Sequence, residues 1–281
     1  MSTPLSVLFQ YLLPKRLLTQ CMGFLAAGSF GGLTTYAIKS FIKRYHVNMS
    51  EALESDPAAY KSFNDFFVRA LKPNARVQSS SALISPVDGA VSQLGAIHGD
   101  SIFQAKGHQY TTEQLLAGQT QLAKEFQNGL FATLYLSPSD YHRVHMPCDG
   151  VLKSMTYVPG DLFSVNPQTA QSVPGLFARN ERVICMFESS QGPYALILVG
   201  ATIVGSMQTV WHGVVNPPRP GKIVHWEYAG KNIHLKKGEE MGRFLLGSTV
   251  VLLFKPDTYQ FDADWQAQKV IRQGESMGSL R

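Results

Sequence analysis

The chain has 281 residues, enough for one large domain or two modest ones. Hydrophobic residues make up 44% of it and charged residues only 16%, so part of its surface is expected to face something other than water. The net charge of +5 suits an anionic partner or simple solubility, but the absence of a Lys/Arg-rich run and of an aromatic RNA-binding motif argues against nucleic acid.

Residues 1–48 differ in composition from the rest of the chain. A short apolar segment over residues 5–13 lies between two prolines and precedes a basic pair, after which 22 residues carry no charge. That stretch is long enough to span a bilayer, but glycine and hydroxyl side chains dilute it, so we predict helices lying in the membrane interface. A signal peptide and a helical pair packed on the core are alternatives. The cationic residues available to an anionic surface are Lys15, Arg16, Lys39, Lys43 and Arg44.

The next segment, residues 48–70, has a helical pattern. Ser50 is expected to cap a helix that begins at Glu51. Three phenylalanines then recur at helical spacing and are expected to pack inward, namely Phe63, Phe66 and Phe67.

After Pro73 the sequence is rich in predicted strands. Short β-branched and aromatic runs alternate with Gly and Pro, a pattern typical of antiparallel sheet. The fold class is therefore predicted to be α+β, with a mainly antiparallel domain over residues 49–281. The polar tail after Lys255 is expected to fray. The clearest predicted strands are 90–94, 130–136, 183–187, 194–199 and 249–254.

Three segments carry residues that can do chemistry. The first contains Asp88 in an Asp-Gly turn, the second His142 and His145, and the third Ser248 before a predicted strand. The two histidines could bind a metal with Asp88 or Asp140 as a third ligand, but no HExxH helix or cysteine pair supports that, and no metal is predicted.

The same residue types could also form a Ser-His-Asp hydrolase triad. Against this, Leu246 and Val250 occupy the places of the two glycines in a Gly-x-Ser-x-Gly elbow. Any one of these polar residues can equally be a buried, hydrogen-bonded structural group.

Seven segments occur in one order between about residue 60 and residue 254, and together they decide between these alternatives. They are FNDFFVR (63–69), SPVDG (85–89), YHRVHMP (141–147), YVPGDLFSV (157–165), LFARNER (176–182), VGATIVGS (199–206) and LGST (246–249). In these segments the chain closely resembles the bacterial phosphatidylserine decarboxylases. The resemblance implies a membrane-associated carboxy-lyase that converts phosphatidylserine to phosphatidylethanolamine and CO₂.

The resemblance also implies that the enzyme makes its own carbonyl cofactor. Ser248 attacks the carbonyl of Gly247, the chain breaks between them, and Ser248 becomes a covalent pyruvoyl group that forms a Schiff base with the substrate amine. The products are a β chain (1–247) and an α chain (248–281) that form a heterodimer. His145 is expected to be the base, held in its tautomer by Asp88, and His142 to contact the substrate carboxylate or donate a proton during decarboxylation.

The expected partners are phosphatidylserine and an anionic membrane surface, and a higher homo-oligomer stays open. Three cysteines without CxxC spacing are read as reduced, so the expected location is peripheral, at the cytoplasmic side of the cell membrane. Two other functional classes remain as alternatives: an unprocessed serine hydrolase acting on lipids, and a non-catalytic membrane-binding protein whose motifs are only turns.

Overall fold

The computed structural model describes residues 4–202, 206–217, 219–245 and 248–281, and at Ser248 it describes the backbone. Its helices are short after the first three, and strands dominate the remainder, as the predicted α+β class requires. The helices are α1 Leu5–Leu12, α2 Lys15–Ala27, α3 Gly32–Tyr45, α4 Phe63–Phe67, α5 Thr112–Leu115, α6 Thr120–Lys124, α7 Pro167–Ala170 and α8 Leu176–Arg179.

Prolines and glycines set the limits of the N-terminal helices. Pro4 precedes α1, and Pro14 separates it from α2, because a proline lacks the amide hydrogen that would continue the first helix. Gly28 ends α2, and the C-cap of α3 is His46 in the left-handed conformation. The prediction of helices within residues 1–48 is confirmed.

The segment between α3 and the sheets differs from its prediction. Ser50 does not cap a helix; Asn48 caps a single 3-10 turn, Met49–Glu51, by accepting a 3.1 Å hydrogen bond from the Ser50 amide. The local side-chain bond competes with a longer helix. Helix α4 begins instead at Ser62, which forms a reciprocal capping box with Asp65.

The three phenylalanines around α4 do pack inward, as predicted. Phe66 and Phe67 are buried, and Phe63 is partly buried against the same cluster. The ring of Phe41 on α3 lies 5.1 Å from that of Phe63 and 6.0 Å from that of Phe66. Edge-on aromatic contacts of this kind fix α3 against α4.

All five predicted strands lie within observed ones. The strands are β1 Leu83–Ile84, β2 Gly89–Ala96, β3 Ser101–Ala105, β4 His108–Thr111, β5 Leu130–Leu136, β6 Arg143–His145, β7 Gly150–Val158, β8 Arg182–Ser189, β9 Gly192–Val199, β10 Met207–Thr209, β11 Gly213–Asn216, β12 Val224–Glu227, β13 His234–Leu235, β14 Glu240–Phe244, β15 Ser248–Phe254, β16 Tyr259–Phe261, β17 Val270–Ile271 and β18 Ser276–Leu280.

One large antiparallel sheet organises the molecule. Its strand order is β12-β7-β8-β9-β15-β5-β2-β17, and β13 also pairs with β7. Strand β15 lies in the middle, between β9 and β5, and its side chains alternate between two cores. Val250 and Leu252 belong to one core, and Val251 and Leu253 to the other, which explains why this strand is an unbroken apolar run.

Smaller sheets attach the other segments. Strands β11-β10-β14-β6 form a four-stranded sheet, β1-β18-β16 form a three-stranded one, and β3-β4 form a hairpin. The expectation that the tail after Lys255 frays is wrong, because it supplies β16, β17 and β18. Met277 is fully buried, and Trp265 donates a 2.7 Å hydrogen bond from Nε1 to the Ser276 carbonyl.

The N-terminal helices pack on the domain by one side only. Val7 of α1 and Ile38 of α3 are fully buried. Among the described residues, no single helix is both long and apolar enough to cross a membrane; α2 and α3 satisfy such limits only as a pair, which bends by 113° at the break. Large apolar side chains on the outer sides are exposed, including Leu5, Phe9, Leu12, Leu17, Phe24, Leu25, Leu33 and Tyr36.

Candidate active site

Three neighbouring strands bring the first and third chemical segments to one end of the large sheet. Ser248 pairs with Leu136 across β15 and β5. On the other side of β5, a Cβ atom added to Gly89 would lie 2.2 Å from the Tyr135 carbonyl oxygen, so only glycine allows β2 this approach. Gly89 and Ser248 are therefore two interstrand spacings apart, about 10 Å, with Asp88 directly before Gly89.

The histidine segment bridges the other two. The His145 amide donates a 2.9 Å hydrogen bond to the carbonyl of Pro86, two residues before Asp88. The Phe244 amide, at the end of β14, donates a 3.0 Å bond to the carbonyl of His142. The three predicted segments thus meet in space.

The predicted cleavage site itself falls mostly outside the described part of the chain. Leu246, Gly247 and the side chain of Ser248 are not described, nor are residues 203–205 of the VGATIVGS segment. The chain is anchored just before the site, because the Leu245 amide donates a 3.0 Å bond to the Ser206 carbonyl. It is anchored again just after the site by the pairing of β15 with β5 and β9.

His145 has hydrogen-bond partners at both ring nitrogens. Nδ1 donates to the carbonyl oxygen of Gly238 at 2.8 Å, and Nε2 accepts from the hydroxyl of Tyr141 at 3.1 Å. A carbonyl can only accept, so the proton is assigned to Nδ1, which leaves Nε2 as the basic atom. Burial lowers the pKa of His145, and the neutral ring is therefore the resting form.

The expected hydrogen bond between Asp88 and His145 is wrong for this arrangement. The Gly238 carbonyl occupies the position at Nδ1 that a triad aspartate would take. Asp88 acts on the ring through space: the hydrogen bond to Gly238 and the charge of Glu240 raise the pKa of His145 against the effect of burial, and the negative charge of Asp88 raises it by a smaller amount.

Asp88 is instead held by an arginine that the sequence did not single out. Arg76 donates from Nε to Asp88 Oδ1 at 2.9 Å and from Nη2 to Oδ2, and the Gln273 amide donates to Oδ1 at 2.8 Å. Arg76 lies twelve residues upstream of Asp88, outside the seven family-like segments, so no local pattern marked it.

His142 is fully buried and differs from His145 in one respect. Its Nδ1 donates to the Asp140 carbonyl at 2.8 Å, and its ring centroid lies 4.1 Å from that of Phe67. Its Nε2 has no hydrogen-bond partner within the described residues. Burial lowers the pKa of His142 to about 3, so the ring is neutral and its Nε2 lone pair is available.

The turn that carries His142 also uses Asp140, which was considered as a metal ligand. Its Oδ2 accepts a 2.6 Å hydrogen bond from the Ser137 amide, and burial raises the pKa of Asp140. Arg69 closes the same turn through a 3.1 Å bond from Nη2 to the Ser139 carbonyl. Across the described ranges no group of three or more His, Cys, Asp or Glu residues is placed to hold a metal ion.

Comparison with known proteins gives the same family along the whole chain. A family model for phosphatidylserine decarboxylase matches residues 63–279, and a further model described as PSD matches residues 5–46. A phosphatidylserine decarboxylase proenzyme of Dechloromonas aromatica is 62% identical over 279 residues, which cover 99% of each chain. Proenzymes of the same name from Methylibium petroleiphilum (99% of this chain, 98% of the relative) and Variovorax paradoxus (100% and 99%) are each 61% identical.

Proposed function

Because the chain belongs to the phosphatidylserine decarboxylase family and is a carboxy-lyase acting on phosphatidylserine, we propose that its reactive carbonyl is a pyruvoyl group made from its own Ser248. The observation that supports this most directly is the position of Ser248: it begins the central strand β15, in line with Leu136 and Gly89, at the sheet end reached by the Asp88 segment to which the His145 amide is hydrogen-bonded. When formed, the group supplies a ketone that condenses with the substrate amine and draws electrons from its Cα as CO₂ leaves.

In the proposed maturation, the Ser248 hydroxyl attacks the Gly247 carbonyl while His145 Nε2 accepts its proton. An ester between Ser248 Oγ and the Gly247 carbonyl carbon replaces the peptide bond. β-Elimination then removes the Cα hydrogen of residue 248 as a proton to solvent and breaks its Cβ–Oγ bond, which releases Gly247 as a carboxylate and leaves dehydroalanine at position 248. Addition of water releases ammonia and completes the ketone.

The two histidines have different surroundings, and this supports different roles. His145 is neutral and lies beside the Asp88 segment, so it suits the proton transfer of maturation. His142 has an unengaged, buried Nε2 atom, and it suits the carboxylate contact or the return of a proton to Cα in turnover. Buried polar atoms without partners are uncommon and often serve a ligand or a reaction.

The position of β15 supports a stable two-chain product. Cleavage before Ser248 would leave β15 as the first element of the α chain, still paired with β5 and β9 of the β chain. Its apolar side chains fill both cores of the large sheet. We therefore propose that the α and β chains stay together as a heterodimer.

We also propose that the protein is peripheral, at the cytoplasmic side of the cell membrane. The exposed apolar side chains of α1–α3 would enter the interface, with Leu5 83%, Leu12 82% and Phe24 76% exposed. The basic residues of the same region would meet the anionic lipids that give the cytoplasmic leaflet its negative potential.

The proposal is tested by the intact mass of the purified protein under denaturing conditions. We expect two chains divided between Gly247 and Ser248, the smaller carrying a pyruvoyl mass and no free α-amine. Ser248→Ala should stay one chain of 31.0 kDa, while Ser190→Ala, in an exposed turn, should cleave normally. A wild-type chain that stays whole on prolonged incubation would overturn the pyruvoyl proposal and favour the unprocessed hydrolase.

A further inference from the structure

We propose that Arg76 is a positioning residue for self-cleavage: it clamps the carboxylate of Asp88 in the place from which Asp88 assists His145. The inference rests on the proposed maturation at Ser248. It adds a residue outside the family-like segments, and it assigns Arg76 no contact with the substrate or the scissile bond.

The contact between Arg76 and Asp88 leaves the carboxylate little freedom. Nε and Nη2 of Arg76 bind the two different oxygens of Asp88, which is the fork geometry that fixes the plane of a carboxylate. The backbone amide of Gln273 adds a third donor at 2.8 Å. Both side chains are nearly enclosed, with 8% of Arg76 and 10% of Asp88 exposed.

The neighbouring charged side chains make Arg76 important for holding Asp88 in place. Nη2 of Arg76 also lies 2.8 Å from Glu51 Oε2, and Glu51 Oε1 lies 3.1 Å from Nη1 of Arg272. Two arginines therefore face two carboxylates. Without Arg76, Asp88 and Glu51 would lose the cation they share, and the Gln273 amide would be the remaining hydrogen-bond donor to Asp88 among the described residues.

The clamp, that is, the contact between Arg76 and Asp88, is connected to His145 by the short segment that ends at Asp88. The His145 amide is bonded to the Pro86 carbonyl, and Asp88 favours the protonated His145 ring through space. A base that takes the Ser248 proton becomes an imidazolium, so a fixed negative charge nearby stabilises the state in which cleavage begins. If Arg76 were lost, Asp88 would lose two of its three donors and could move, and this assistance would fall.

The clamp also joins the two parts of the chain that cleavage would separate. Arg76 and Asp88 belong to the proposed β chain, whereas the Gln273 amide, the third donor to Asp88, belongs to the α chain. The arrangement is therefore complete only when the C-terminal strands have folded onto the domain. Cleavage is therefore expected to reach its full rate only after that folding step.

The test measures the first-order rate of self-cleavage in a pulse of newly made full-length chain. Arg76→Ala should slow cleavage at least about tenfold, the effect of losing one charged interaction in the transition state. It should match Asp88→Asn, and the double variant should be no slower than Asp88→Asn alone. Arg76→Lys keeps the charge without the fork, so it should cleave at an intermediate rate.

Guanidinium chloride at millimolar concentration separates positioning from general damage to the fold. It should speed cleavage of Arg76→Ala and leave Arg76→Ala/Asp88→Asn unchanged, because the rescuing ion needs the Asp88 carboxylate. Arg272→Ala is the matched control: Arg272 binds Glu51 but makes no hydrogen bond to Asp88 in the described structure, and we expect nearly normal cleavage.

Three results would overturn the proposal: wild-type rates in both Arg76 variants, strictly additive losses in the double variant, or an equal loss in Arg272→Ala. If Arg76→Ala fails to fold, the Arg76→Lys rate decides alone, and a wild-type rate there counts against the clamp. A wild-type chain that never cleaves would instead contradict the proposed function.

Discussion

At the scale of single residues, His142 is expected to act in decarboxylation and to be dispensable for self-cleavage. It is fully buried with an Nε2 that lacks a partner among the described residues, and the Asp140 carbonyl fixes its tautomer. We expect His142→Ala to cleave its own chain but to decarboxylate phosphatidylserine about 10²- to 10⁴-fold more slowly, the usual effect of losing a general acid or base. The measurement is CO₂ release per mole of cleaved chain.

An exposed histidine provides the control for that measurement. His98→Ala, in a surface turn, should both cleave and decarboxylate normally. If His142→Ala remained uncleaved while it kept the thermal stability of the wild type, the division of roles between the two histidines would be wrong.

His145 gives a prediction about pH. The proposed base works only when neutral, and burial places its pKa below the ordinary value of 6.5. The rate of self-cleavage should therefore stay level as the pH falls from about 8 to 6.5 and decline only at more acidic pH. A chase of newly made precursor at a series of pH values measures this, and half-loss of the rate above about pH 6.5 would contradict it.

The sequence led to the chemical residues but not to their partners. Asp88, His142, His145 and Ser248 lie in short segments whose order resembles one family, and the fold brings those segments together. Arg76 and the Gly238 carbonyl are different, because they reach their partners from 12 and 93 residues away. Such contacts depend on the three-dimensional path of the chain and leave no local pattern.

At the scale of secondary structure, the ordered C-terminal tail leads to a prediction about stability. β18 pairs with both β1 and β16, and Met277 on β18 is fully buried. Met277→Ala should lower the free energy of unfolding by about 2–5 kcal/mol, the range for large-to-small changes in cores. Leu280→Ala on the same strand, where Leu280 is 48% exposed, should cost much less. Chemical denaturation of both variants tests this, and equal losses would contradict the role of β18.

The elements that were predicted well are those whose burial shows in their composition. β5, β8, β9 and β15 are continuous apolar runs because both faces of the large sheet are covered. The strands of the tail are only two to five residues long and bury one side chain each, so they resemble loops in sequence. The helix predicted to begin at Glu51 is absent for another reason: the Asn48 side chain caps a single 3-10 turn there.

At the scale of the whole molecule, the outer sides of α1–α3 expose large apolar side chains to solvent, which is energetically unfavourable. We define this N-terminal apolar surface by its most exposed members: Leu5, Phe9, Leu12, Leu17, Phe24, Leu33 and Tyr36. Large apolar side chains exposed on three consecutive helices suit contact with a partner or a membrane. Because phosphatidylserine resides in a bilayer, a surface that holds the active site at the membrane would shorten the path of each substrate to it.

The last prediction concerns this surface directly. Changing Leu12, Phe24 and Tyr36 together to serine should reduce partitioning onto vesicles containing phosphatidylglycerol by well over tenfold, since burying each such side chain contributes about 1.5–3 kcal/mol. Sedimentation with the vesicles measures it. The matched control changes Val77 and Val270 to serine. These two residues are 82% and 76% exposed and lie outside α1–α3, so the control protein should bind the vesicles normally. Added salt should weaken binding of the wild type, because the basic residues among the helices are screened. Unchanged partitioning of the triple variant would show that another surface meets the membrane.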